Sequence, residues 1–204
     1  MKNFKLYVII DKNAVGKRSV LKVAENVLRG GADIIQLRDK ISSDAVLIKE
    51  ATALRRLTKR HKKIFIINDR VDIALATDAD GTHLGQEDMP IKCARKILPG
   101  KIIGISTHNL KQALKAERDG ADYIGIGPVF RSPSKPKSES LGPHILKKIK
   151  QKVNIPFFAI GGIDIKKIKD LKKFDAHRIA VISAVIKSKD VYRRTCLLKR
   201  ELET

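Results

Sequence analysis

Two aspartates, Asp69 and Asp88, stand nineteen positions apart in the stretch Asn68 to Pro90, NDRVDIALATDADGTHLGQEDMP. Each comes just after an apolar run of strand length, Ile64-Phe65-Ile66-Ile67 for the first and Gly81-Thr82-His83-Leu84-Gly85 for the second. The spacing leaves room for a short helix, Val71 to Ala76, to return the chain to a neighbouring parallel strand. Carboxylates on adjacent strand ends can share one divalent cation. Magnesium suits this arrangement, because it takes one or two carboxylates and completes its shell with water and phosphate oxygens. The plainer alternative makes Asp69 a cap for the short helix and Asp88 a solvated loop acid. Spacing alone leaves both readings open.

Cations and hydroxyls recur at equivalent places. Gln36, Arg38 and Lys40 alternate past another apolar run and face one side if that strand continues. Arginine offers a bidentate fork and lysine a point charge, so together with two metal-suited carboxylates they fit a diphosphate. The alternative for Arg38 and Lys40 is a surface charge pair with Asp39. Gly161-Gly162-Ile163-Asp164 and Ile182-Ser183-Ala184 look like a second anion site, with backbone N–H groups and the Ser183 hydroxyl as donors. The same glycines could serve only a tight turn. Two anion sites on one face suggest two phosphorylated substrates. The segment Phe130-Arg131-Ser132-Pro133-Ser134-Lys135-Pro136 is basic and long enough to close over a diphosphate, though its composition also suits a plain surface loop. His83 and His108 are read as structural hydrogen-bonders before acid–base groups.

These residues need a scaffold that gathers strand ends. Short apolar runs begin at Leu6, Asp33, Lys63, Gly81, Ile102, Tyr123, Ile155 and His177, and helical periodicity follows each of them. One long closing helix is expected after Ser183, running towards Leu202. Strands alternating with helices imply a parallel sheet. Eight such units without a linker predict an α/β fold, a single (β/α)8 TIM barrel forming one domain over residues 1–204. A doubly wound sheet fits less well, since no G-x-G-x-x-G follows the first strand. In a barrel the polar residues just past the strand ends fall on one face. Helix surfaces do not account for that distribution.

Composition narrows the function classes. The chain has 204 residues, enough for a sizeable core, and no apolar run of membrane-spanning length. With no signal-like apolar segment after Met1, the expected location is cytoplasmic. Cys93 and Cys196 lack metal-ligand spacing, so zinc and disulfide chemistry are not expected. The net charge of +21 attracts anions, but three tyrosines, six phenylalanines and no tryptophan supply few stacking platforms for nucleic acid. Most of that charge is expected on solvated helix faces.

The segments GGADIIQLRDK (30–40), NDRVDIALATDADGTHLGQEDMP (68–90), IGISTHN (103–109), GADYIGIGPVF (120–130), AIGGI (159–163) and VISAV (181–185) resemble the thiamine-phosphate synthase family over essentially the whole chain. The resemblance implies a transferase that joins 4-amino-5-hydroxymethyl-2-methylpyrimidine diphosphate to 4-methyl-5-(2-phosphoethyl)thiazole, with magnesium-assisted departure of diphosphate. It implies that Gln36, Arg38, Lys40 and Asn68 hold the pyrimidine diphosphate and that Asp69 and Asp88 ligate Mg2+. Ser106 would contact the reacting diphosphate, and Lys135 would sit on it with the loop hydroxyls of Ser132 and Ser134. Gly162, Ile182 and Ser183 would bind the thiazole phosphate. One departure from the family pattern is that Ser132 and Ser134 stand where threonines are usual. A thiazole tautomerase of the same superfamily and a non-catalytic basic barrel that binds nucleic acid are the alternatives. The first needs proton shuttling without metal; the second needs salt-sensitive binding without turnover.

Overall fold

In the computed structural model, which describes residues 4–131 and 139–204, eight parallel strands close into a barrel in sequence order. They are β1 (Leu6–Asp11), β2 (Ile34–Arg38), β3 (Ile64–Asn68), β4 (Gly81–Leu84), β5 (Ile102–Thr107), β6 (Tyr123–Ile126), β7 (Phe157–Ile160) and β8 (Ile179–Val181). Closure is direct, since β8 pairs with β1 through Leu6 with Ile179 and Val8 with Val181. The expected (β/α)8 architecture is therefore observed.

The helices are α1 (Lys12–Val15), α2 (Val20–Arg29), α3 (Asp44–His61), α4 (Val71–Ala76), α5 (Ile91–Ile97), α6 (Leu110–Arg118), α7 (His144–Lys152), α8 (Ile165–Lys172), α9 (Ser183–Ile186) and α10 (Val191–Glu203). Several starts are written in the sequence. Ser19, Asn109, Asp164 and Asp190 each accept a backbone N–H from the first turn of α2, α6, α8 and α10. The expected long closing helix is instead two. Asp190 caps a fresh start by accepting the Arg193 N–H at 2.9 Å, which separates α10 from the single turn of α9.

Strand alternation produces two cores. Outward-facing residues such as Val8, Ile35, Phe65, Ile103 and Ile124 pack against the helices. Inward-facing Tyr7, Ile9, Ile34, Ile66, Tyr123, Phe158 and Ala180 fill the barrel. The barrel is thus plugged below, and polar side chains are left to its C-terminal mouth. Strand β7 begins at Phe157, two residues later than the apolar run, because Pro156 has no N–H to give the ladder.

Candidate active site

The two carboxylates meet. Asp69 follows β3 and Asp88 lies in the loop after β4, and their side chains come within hydrogen-bonding reach of each other. Asp69 adopts left-handed backbone, φ +58°, with its N–H donating to the His83 carbonyl at 2.8 Å. An aspartate tolerates that conformation better than most residues. Asp88 accepts the Gly85 N–H at 2.6 Å, and a Cβ on Gly85 would sit 2.9 Å from the same carboxylate oxygen. Lys40 pairs with Asp69. Burial, opposed by Lys40 and reinforced by Asp88, pushes the Asp69 carboxyl above its ordinary value. For Asp88 burial also works upward, but hydrogen bonds from Asp69 and the Gly85 N–H outweigh it and hold the carboxyl low. Among the described residues, two close carboxylates stand beside one paired lysine and are under-compensated in charge.

The capping alternative for Asp69 is not realised, since α4 begins at Val71 and its N-cap position is Arg70, with no side-chain cap bond. Nor do Arg38 and Lys40 pair with Asp39. Arg38 instead pairs with Asp11, its register partner across β1 and β2, and Asp11 also accepts the Ala14 N–H at 3.0 Å. Asp39 turns inward on its own loop, accepting the Ile41 and Ser42 N–H groups at 3.0 Å.

A chain of neutral groups runs beneath these charges. Gln36, only 1% exposed, donates to the Tyr7 hydroxyl at 2.5 Å. The Tyr7 and Tyr123 hydroxyls lie 3.0 Å apart. Tyr123 bonds His83 Nδ1 at 2.9 Å, and His83 Nε2 bonds the Ser106 hydroxyl at 2.9 Å. Burial drives His83 down to about 4 despite the nearby Asp88 charge, so it is neutral at physiological pH. Burial likewise raises both phenols, which stay protonated. His108 donates Nδ1–H to the Gly127 carbonyl at 2.6 Å, a structural bond.

At the far side of the mouth, Gly161 and Gly162 have φ of +99° and +63°. A Cβ on Gly162 would stand 2.3 Å from the Arg131 carbonyl oxygen, so the tight-turn reading explains at least the choice of glycine. Lys167 reaches across from α8 to the Gly162 carbonyl at 2.6 Å. Ile182 precedes Ser183, the first residue of α9. Asn68 ends β3 beside His83 in the ladder. The expected loop residues Ser132, Ser134 and Lys135 lie outside the described residues.

Residues 6–185 match the family described as thiamine monophosphate synthase. The chain belongs to this family. It is 46% identical over 190 residues to a thiamine-phosphate synthase of Chloroflexus aurantiacus, covering 93% of this chain and 88% of that protein. A thiamine-phosphate synthase of Shouchella clausii is 44% identical over 195 residues, covering 94% and 92%. Among solved structures, a thiamine phosphate pyrophosphorylase from Pyrococcus furiosus superposes with a TM-score of 0.91 at 41% identity, covering 98% of this chain and 96% of that one.

Around these side chains of the thiamine monophosphate synthase family member, several partners escape the sequence reading. Tyr7 and Tyr123 read as ordinary strand residues, Asp11 as the end of a run, and Gln86 as loop. Gln86 donates to the Ser106 carbonyl at 2.6 Å. The signal for the tyrosines was available, because strand alternation points both phenols into a barrel interior where a hydroxyl needs a partner.

Proposed function

We infer that this chain is the transferase of its family, joining hydroxymethylpyrimidine diphosphate to the thiazole phosphate to give thiamine phosphate and free diphosphate. The observation that carries this reading is the Asp69–Asp88 pair with Lys40 beside it and Arg38 close by at one barrel mouth. In the reaction the C–O bond from the pyrimidine methylene to the diphosphate breaks, and the electron pair leaves with the diphosphate. The thiazole nitrogen then gives its lone pair to that carbon, forming the C–N bond.

The under-compensated carboxylate pair fits magnesium, whose remaining positions suit water and phosphate oxygens. Asp69 and Asp88 would hold the ion, which when bound neutralises charge building on the diphosphate. Arg38, Lys40 and Asn68 present donors to the same oxygens, joined by Lys135, Ser132 and Ser134 from the loop after β6. Gln36 acts from below the mouth through the polar chain it starts. Ser106 meets the reacting diphosphate. Gly162, Ile182 and Ser183 take the thiazole phosphate, largely through backbone groups.

The deciding experiment is diphosphate release from purified protein with both substrates, with each substrate omitted, and with and without magnesium. Release that needs all three, matched by thiamine phosphate, is the expected result. Metal-independent proton exchange on the thiazole phosphate without release would move the chain to the tautomerase alternative.

A further inference from the structure

We propose that Tyr7 and Tyr123 are positioning residues that carry a fixed hydrogen-bond polarity from Gln36 through His83 to Ser106, which leaves the Ser106 hydroxyl hydrogen free for an anionic oxygen of the departing diphosphate. The inference rests on the transferase reading above and deepens its account of Ser106. It follows from counting hydrogens along four links: Gln36 to Tyr7, Tyr7 to Tyr123, Tyr123 to His83, and His83 to Ser106.

Each phenol and the serine own one hydroxyl hydrogen. Gln36 Nε2 can only donate, so Tyr7 oxygen accepts from it. Among the described residues Tyr7 has one other polar neighbour, the Tyr123 hydroxyl, so its own hydrogen must go there. Tyr123 then spends its hydrogen on His83 Nδ1, which must be the unprotonated nitrogen. His83 therefore carries its proton on Nε2 and donates it to Ser106 Oγ. A doubly protonated His83 would strand the Tyr123 hydrogen, so the count also requires the neutral ring. Among the described residues nothing else takes the Ser106 O–H, which leaves it as a donor at the mouth. Donation suits a leaving group that gains negative charge; acceptance would not.

The barrel is cut to fit this chain. Register places Asn68, His83, Gly104 and Tyr123 in one row around the barrel. A Cβ on Gly104 would lie 2.0 Å from the Tyr123 ring, so glycine there is what lets the phenol reach His83. Phe158 closes the chain from the side, with its ring edge-on to both tyrosines at 5.4 and 5.6 Å. The opposite Gln36 setting, with its carbonyl oxygen towards Tyr7, would reverse every link and turn Ser106 into an acceptor.

Nitrogen NMR of histidine-labelled protein, with His83 assigned by its loss in His83→Gln, reads the tautomer without any substrate. The expected signal is Nε2–H in the wild type and a tautomer mixture in Tyr123→Phe. Tyr123→Phe should lower kcat by roughly 10- to 30-fold, below the cost of deleting a direct donor to a developing charge, with KM for the pyrimidine diphosphate little changed. Tyr7→Phe, which leaves Tyr123 in place, should show the smaller loss and keeps the test alive if Tyr123→Phe folds poorly. An Nδ1–H wild type overturns the polarity, and unchanged kcat in both folded variants overturns the positioning role. A wild type that makes no thiamine phosphate overturns the transferase reading instead, a result separable from the tautomer.

Discussion

At the scale of single residues, the chemistry depends on charges that the fold leaves only partly neutralised. Among the described residues Asp69 and Asp88 share one lysine, Lys40, and each is held by a backbone feature that fixes its direction. Replacing either with asparagine keeps the shape and, at Asp69, the tolerance for left-handed backbone. Each change should cut diphosphate release by about 100-fold or more, in line with loss of a preorganised charge at a reacting phosphate. Thermal melts should stay close to the wild type. Near-normal turnover in both variants would remove the pair from metal binding. The carboxylates and cations were legible in the sequence because a polar residue after an apolar run stands out. The tyrosines were not, because each lies within a run, and the role of Asp11, at the end of one, depends on which strand becomes its neighbour.

At the scale of elements, two glycines allow close approaches, Gly104 between neighbouring strands inside the barrel and Gly162 between loops at its mouth, and their substitutions separate stability from binding. Gly104→Ala drives a methyl into the Tyr123 ring inside the barrel. Overpacking of that kind should cost about 1–3 kcal/mol, read as a lowered midpoint in urea. Gly162→Ala meets the Arg131 carbonyl and a backbone that L-residues resist. Its expected mark is a KM for the thiazole phosphate raised roughly tenfold, about 1.4 kcal/mol of binding, with the pyrimidine KM unaffected. An equal rise in both would show a general collapse of the mouth. The longer elements were legible, and the helix Val71–Ala76 and the strand Gly81–Leu84 have the bounds that the apolar pattern gives. The single turns α1 and α9 were not, since four residues carry no period. His177 and Arg178 were expected in the last strand, which instead starts at Ile179.

For the whole molecule, closure of the barrel buries groups whose protonation then governs stability. Forty-three basic residues against 22 acidic ones make the native state repel itself, and acidification adds to that excess. A half-buried and a buried group, His83 and Asp33, act in different pH windows. His83 falls to about 4 in the fold, whereas an unfolded histidine titrates near 6.5. Between those values the unfolded chain binds a proton that the native chain refuses, so stability falls as pH drops from about 6.5 towards 4. The difference amounts to about 3 kcal/mol. Asp33, at the opposite end of the barrel, behaves otherwise. Burial alone would raise it, but Lys199 and the Lys5 and Leu6 N–H groups prevail and hold it low. Its contribution is complete above about pH 4 and drains only below that. Urea unfolding from pH 7 to 3 should therefore show a first loss of stability that begins below pH 6.5. His83→Gln should flatten that first limb and leave the steeper fall below pH 4, which Asp33→Asn should reduce. An unchanged first limb in His83→Gln would mean that the imidazole is not the group the barrel keeps neutral.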